Sequence, residues 1–338
     1  MKSHLDNEAW VKSLFHEDED LLVGKIFEML TPAAIVAKTK QLRAHRQLPV
    51  LDKKVREDPA TSAVALAKTF GWAAQVLGVP IPELYVRNDV PGMLVAVPAI
   101  PPATVAGQTA LTGFTPQELA FIVGKHLSSY RGKHYIRNLF PALNELKVTL
   151  FAGVKIAVPD FAVPGEIAQV VDATASELVK YMEPMQRESL KMVVRKWVDG
   201  GAKADIGRWT RAIEITACRA GFLLCADMEI VQKIITGEPE LPDGPSPREK
   251  TEELLRFAAS EQYSSLKKML GTTVAEPARE QVAQKDEAKR ANVYSSFGAG
   301  AEAASSGSAS RGGFRFGTFL LVVALLVGLI AWFRHAAG

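Results

Sequence analysis

The sequence predicts an α+β chain, mostly helical, with one small three-stranded sheet and a single apolar helix near its C-terminus. Three observations predict it. Helical apolar spacing recurs through most of residues 7–270. One stretch rich in Pro, Gly and β-branched residues, 79–114, interrupts it. Residues 316–333, "FGTFLLVVALLVGLIAWF", carry no charge at all.

The composition belongs to a folded protein. Among 338 residues, 48% are hydrophobic and 23% charged, enough apolar material for a sizeable core. The net charge of +3 comes from 40 basic and 37 acidic residues, and no long basic run or aromatic–basic interleave occurs. Nucleic acid is therefore not an expected partner. The two cysteines, Cys218 and Cys225, fall seven residues apart on one predicted helix, separated by roughly 10 Å of rise. That spacing excludes a disulfide between them without unwinding. The N-terminus lacks a basic segment followed by an apolar one, so no secretory signal is expected, and a reducing, cytoplasmic setting fits.

The elements follow in order. "NEAWVKSLF", "DEDLLVGKIFEMLTPAAIVAKTKQLRAHR" and "DPATSAVALAKTFGWAAQVLG" have helical spacing, with Asp or Asn near their starts and Gly78 ending the third. The acidic run "HEDED" is read as a solvated helix start. Short strands are expected near Glu83–Arg87, Met93–Val97 and Ala103–Ala106. Thr115, Pro116 and Glu118 then open a helix, with a hydroxyl N-cap, proline at the first helical position and an acid in the first turn. Further helices are expected at 133–153, 165–194, 204–226 and 227–237, the last capped by Asp227. A final amphipathic helix runs to Gly271, with Leu254, Leu255, Phe257, Leu266 and Met269 inward. The organisation read from this is an N-terminal helical segment (1–57), a main domain (58–271), a disordered linker (272–315) and a membrane helix (316–333). The linker cannot bury enough apolar surface to fold. The apolar segment, flanked by Arg315 and Arg334, is long enough to span a bilayer.

Two separated stretches carry a resemblance. "FTPQELAFIVGKHLSSYRGKHY", with the strand region before it, is similar to the active-site helix of the HtpX-like and CAAX-prenyl-endopeptidase-like zinc metallopeptidases. "RWTRAIEITACRAGFLLCADMEIVQKI" resembles that family's second signature, E-x-x-A-D-R-A-G. Together they cover roughly residues 60–240. In the family, two histidines of H-E-x-x-H face one side of a helix and hold zinc. The glutamate between them acts as general base, and a glutamate from the second helix completes the ligands. Carried over residue by residue, the first histidine is Lys125, the base is His126 and the second histidine is Ser129. The third ligand survives as Glu214, and the supporting aspartate is Cys218. An ammonium has no lone pair to give a metal, and a serine hydroxyl is a weak zinc ligand. The resemblance thus implies a metallopeptidase-like domain without a cofactor: zinc is expected of the family, but its ligands are lost here. It further implies that no catalytic set is intact.

Rival chemistries in the same stretch are weaker. Lys125 with Ser128 or Ser129 has the reverse order of the S-x-x-K hydrolases and no Gly-rich oxyanion turn beside it. His126 and His134 lie two turns apart, roughly 12 Å, beyond joint chelation. Cys218 and Cys225 read as buried, inert thiols. The expected function is that of a pseudopeptidase: a catalytically inactive domain on the cytoplasmic face of a membrane, held by its C-terminal helix and acting by binding a protein or peptide. An extended segment could add to an edge strand near Met93–Val97. The alternatives are a membrane-associated metalloendopeptidase with an unconventional metal site, and a structural subunit of a membrane complex. A lone carboxylate at Glu214 in a pocket without metal would be costly, so the sequence predicts that Lys125 pairs with it directly.

Overall fold

The computed structural model describes residues 4–111, 113–239, 241 and 243–271. The expected linker (272–315) and membrane helix (316–333) lie outside the described residues. Within the described residues, no helix is long and apolar enough to cross a membrane.

The fold is mostly helical with a small four-stranded sheet. Helix α1 (Asn7–Ala9), capped by the Asp6 carboxylate, runs into a π-helical turn, Trp10–Leu14. Asp20 caps α2 (Leu21–Ala44) by accepting from the amides of Leu22 and Val23. A short strand β1 (Arg56–Glu57) precedes α3 (Ala65–Leu77), which stops at Gly78 in the left-handed conformation, φ 60°. Alanine there would be strained and would drive its methyl group into the Leu5 carbonyl. Strands β2 (Glu83–Arg87), β3 (Leu94–Val97) and β4 (Ala103–Gly107) lie where the sequence predicts them. The sheet has four strands, not three, because Arg56–Glu57 adds an antiparallel pair to β2. Two residues are too few to leave a periodic signal. The order is β1-β2-β4-β3, with β2 and β4 parallel and β3 antiparallel to β4, so β3 is a terminal strand.

After the single turn α4 (Gln108–Leu111), Thr115 opens α5 (Pro116–Ser128) with a complete capping box to Glu118. Three predicted helices are each two. The segment expected at 133–153 divides into α6 (Gly132–Leu139) and α7 (Leu143–Ala157), because Pro141 cannot donate to a continuing helix. That expected at 165–194 divides into α8 (Gly165–Val179) and α9 (Pro184–Asp199), with Glu183 forced extended before its proline. Helices α10 (Ile206–Cys225) and α11 (Met228–Gly237) match their predicted positions, and Asp227 caps the latter. The last amphipathic helix breaks at Ser260, which caps the second piece, giving α12 (Pro247–Ala258) and α13 (Glu261–Leu270). Leu254, Phe257 and Leu266 are buried as expected, but Leu255 is 52% exposed and Leu270 takes an inward place instead.

One continuous core joins the N-terminal helices to the rest: Trp10, Phe27, Phe70, Phe121 and Trp209 are all fully buried. Leu84 and Ala106 present one face of the sheet to this core, while Tyr85, Val97 and Ala103 form a smaller cluster on the other face with Leu51 and Val55. Helices α5 and α10 pack on each other more extensively than any other pair. Their backbones nearly touch: a methyl group added at Gly124 would sit 3.1 Å from the Gly221 Cα. This crossing brings together the two stretches that carry the resemblance.

Candidate functional site

Lys125, near the C-terminal end of α5, points across the crossing to Glu214 on α10. Its Nζ lies 2.9 Å from Glu214 Oε1, as the buried-charge argument predicts. Two further residues join them. Glu238, just after α11, accepts from the same ammonium with both oxygens at 2.6 Å. Lys250 of α12 reaches Glu238 at 2.9 Å and Glu214 at 3.3 Å. Arg137 of α6 stands 3.8 Å from the other Glu214 oxygen, Oε2. The result is a largely buried cluster of three cations and two carboxylates contributed by α5, α6, α10, α12 and the segment after α11.

Burial sets the protonation of this cluster against its charges, and the charges prevail. Burial would raise the Glu214 pKa, yet Lys125, Lys250 and Arg137 hold it down at about 2. Burial would lower that of Lys125, but the acidic neighbours Cys218, Glu214 and Glu238 raise it. Burial pushes the Cys218 thiol up to about 12, so at neutral pH it is uncharged and the two carboxylates hold the ammonium. Both cysteines are buried and free.

The other expected site residues do not converge on this point. His126 turns toward the sheet, where its Nε2 is 2.9 Å from Thr104 Oγ1 and its ring meets Tyr130 edge-on. Burial lowers its pKa to about 4, so the imidazole is neutral at pH 7. The Tyr130 hydroxyl donates to the Ala103 carbonyl and is 2.6 Å from Thr104 Oγ1, completing a buried link between α5 and β4. Ser128 donates to the Lys125 carbonyl and Ser129 to the His126 carbonyl. Neither hydroxyl meets the Lys125 ammonium, which is committed to carboxylates. His134 is buried against Glu19, 3.0 Å away.

The donor set does not fit zinc. Where the resemblance implies a first histidine ligand there is an ammonium, bonded to the carboxylate that would be the third ligand. Among the described residues, no group of three or more His, Cys, Asp or Glu side chains is arranged to hold a metal ion.

Beside the cluster is an open cleft of about 430 Å³. Leu94, Val95 and Ala96 of β3 form one wall, and Ser129, Arg137, Asn138 and Glu214 face it. Asn138 holds Ser129 by donating to its hydroxyl at 3.0 Å. The cleft therefore combines a sheet edge, small polar groups and the exposed side of the charge cluster.

Lys250 and Glu238 escaped the sequence reading, although Lys250 left a signal. Lys250, Leu254 and Phe257 recur at helical spacing, placing a lysine on the buried stripe of α12. Glu19 left none. The acidic run expected to be solvated instead buries Glu19, which accepts from Thr216 and stands 3.6 Å from Lys133 as well as bonding His134. Compared with protein-family models, with curated proteins and with solved structures, the chain matches none.

Proposed function

We propose that the chain is a metallopeptidase-like protein without catalytic activity, held at a membrane by residues 316–333, that acts by binding an extended peptide or protein segment. The observation that carries this reading is the terminal strand β3 forming a wall of the cleft beside Glu214. A terminal strand presents unpaired backbone groups, and a partner strand satisfies them. The ion cluster supports the loss of catalysis, because it fills with fixed charges the place where metal chemistry would occur. A lysine ammonium that is already paired neither coordinates a metal nor activates water.

The test is amide hydrogen exchange on the full chain in detergent, with and without a six-residue peptide of alternating threonine and valine. Slower exchange at Leu94 and Ala96, with the peptide recovered uncut, is the expected result. Unchanged exchange throughout β3, or cleavage of the peptide, overturns the reading.

A further inference from the structure

The register of the sheet identifies which backbone groups of β3 are available. Gly107 N–H donates to the Met93 carbonyl at 2.8 Å, so Met93 and Gly107 form a hydrogen-bonded pair. Antiparallel pairs alternate between bonded and non-bonded. Val95 and Val97 therefore direct their N–H and C=O groups to Val105 and Ala103. Leu94 and Ala96 direct theirs outward. The other side of β4 agrees: Glu83 N–H donates to the Pro102 carbonyl, which places Pro102 and Thr104 toward β2 and Ala103 and Val105 toward β3. Leu94 and Ala96 offer two residues' worth of unpaired edge.

Side-chain direction then fixes what a bound strand would show to the cleft. Ala96 pairs with Thr104, whose hydroxyl faces α5 and meets His126 and Tyr130. The side chains of Leu94 and Ala96 share that face, and so does any residue of an added strand directly opposite them. Such a residue looks toward Arg137 and Glu214. Glu214 holds both Lys125 and Lys250 on one oxygen, Oε1. Arg137 keeps donors to spare. Its Nη1 donates to the Thr210 carbonyl at 3.0 Å, but its 3.8 Å approach to Glu214 is too long for a hydrogen bond. Its side chain is 20% exposed and lines the cleft.

The electrostatics agree with that geometry. Lys125, Lys250 and Arg137 face Glu214 and Glu238, one positive charge in excess. The ion pair of Lys133 with Glu19, which His134 of the cleft lining also touches, cancels within itself. A carboxylate entering the cleft would balance the cluster and accept charge-assisted hydrogen bonds from the Arg137 guanidinium. An ammonium entering it would add to the excess.

We infer that the cleft selects an extended peptide segment bearing an aspartate or glutamate opposite Leu94 or Ala96, with Arg137 as the group that reads the carboxylate. This rests on the peptide-binding reading above and gives its partner a chemistry.

The experiment uses the full chain in detergent and three fluorescein-labelled peptides of alternating threonine and valine, six residues long, with Glu, Gln or Lys at the third position. Fluorescence anisotropy should show the Glu peptide binding about tenfold tighter than the Gln peptide, and the Lys peptide weakest. Arg137→Gln should bring the Glu peptide to the level of the Gln peptide, while Arg137→Lys keeps part of the preference. Should Arg137→Gln fold poorly, salt gives the same readout in the unaltered protein: raising it should erode the Glu preference and spare Gln binding. Ala96→Pro removes an outward N–H that a terminal strand can lose without unfolding, and it should weaken all three peptides alike. Equal binding of Glu and Gln peptides, or a preference that survives Arg137→Gln, overturns the acidic selection and leaves peptide binding standing. Failure of every peptide to bind, or indifference to Ala96→Pro, overturns both.

Discussion

The Lys125 ammonium lies 2.9 Å from the Glu214 carboxylate, joining the two helices whose sequences resemble metallopeptidase signatures. Where the resemblance implies a zinc ion between those helices, a lysine stands with a single charge. Glu238 and Lys250 supply the remaining partners, so Lys125 and Glu214 are both compensated within a site largely shut off from water. Buried charges are tolerated when they are paired and hydrogen-bonded, and strand their partners when they are not.

Lys125→Met and Glu214→Gln should therefore each destabilise the domain by about 3 kcal/mol, the usual cost of leaving one member of a buried pair uncompensated. The double variant should lose less than the sum, because Lys250 and Glu238 can still satisfy each other. Urea unfolding of the four proteins in the cycle checks this. Additive losses would mean that the contact carries no coupling.

The pairing of Lys125 with Glu214 was legible in the sequence because the resemblance sets both at one would-be metal site, where a lone buried carboxylate demands a cation. Helix α5 was legible because Thr115, Pro116 and Glu118 form a start signal within four residues. Less was visible where the signal lay across distant segments. Lys250 is more than thirty positions from Glu214 in the sequence, and the charges around it disguised its place on the stripe of Leu254 and Phe257. Glu19 reads as one more acid in "HEDED" until α6 and α10 bring His134 and Thr216 to it. The divisions at Pro141 and Pro184 were written in the chain, and apolar periodicity on both sides outweighed them.

His126 gives a pH prediction. Its folded pKa, lowered to about 4 by burial, is below the ordinary value of 6.5. Between these values the unfolded chain binds a proton that the folded chain refuses, so stability is full above pH 6.5 and falls as pH drops toward 4. The shift corresponds to about 3 kcal/mol at most. Replacing His126 with Gln keeps a hydrogen-bonding group near Thr104 and removes the titration. Urea midpoints at pH 7 and pH 4.5 should then differ less in His126→Gln than in the parent. An equal difference in both would show that this histidine does not set the acid response.

Metal loading follows from the donor set. After incubation with excess zinc and dialysis, elemental analysis of the full chain should find no stoichiometric metal. One tightly held zinc per chain would contradict the argument from Lys125.

The apolar segment 316–333 should anchor the protein. Deleting residues 316–338 should move the chain from washed membranes into the soluble fraction, with its far-ultraviolet circular dichroism still helical. Retention of the deleted form in the membranes would require another attachment.

The last prediction concerns the crossing of α5 and α10, which positions Lys125 and Glu214. A methyl group added at Gly221 would lie 2.5 Å from the Phe121 carbonyl oxygen and 2.8 Å from its ring, and one at Gly124 would meet Leu224 and the Gly221 Cα. At Gly221 the obstacle includes backbone, which a change of rotamer cannot move. Helices α5 and α10 must then separate, and Lys125 and Glu214, held by that approach, must separate with them. Alanine normally favours a helix over glycine by about 1 kcal/mol. Gly221→Ala should nevertheless destabilise the domain by at least ~2 kcal/mol, since overpacking of a fixed contact outweighs propensity. Gly165→Ala, at the start of α8 with nothing within 4 Å, is the control and should be neutral or stabilising. The ion pair supplies a second readout. In Gly221→Ala, the further loss on adding Glu214→Gln should shrink, because the carboxylate has already been drawn from its lysine. An undiminished loss would show that the cluster does not depend on the glycine crossing.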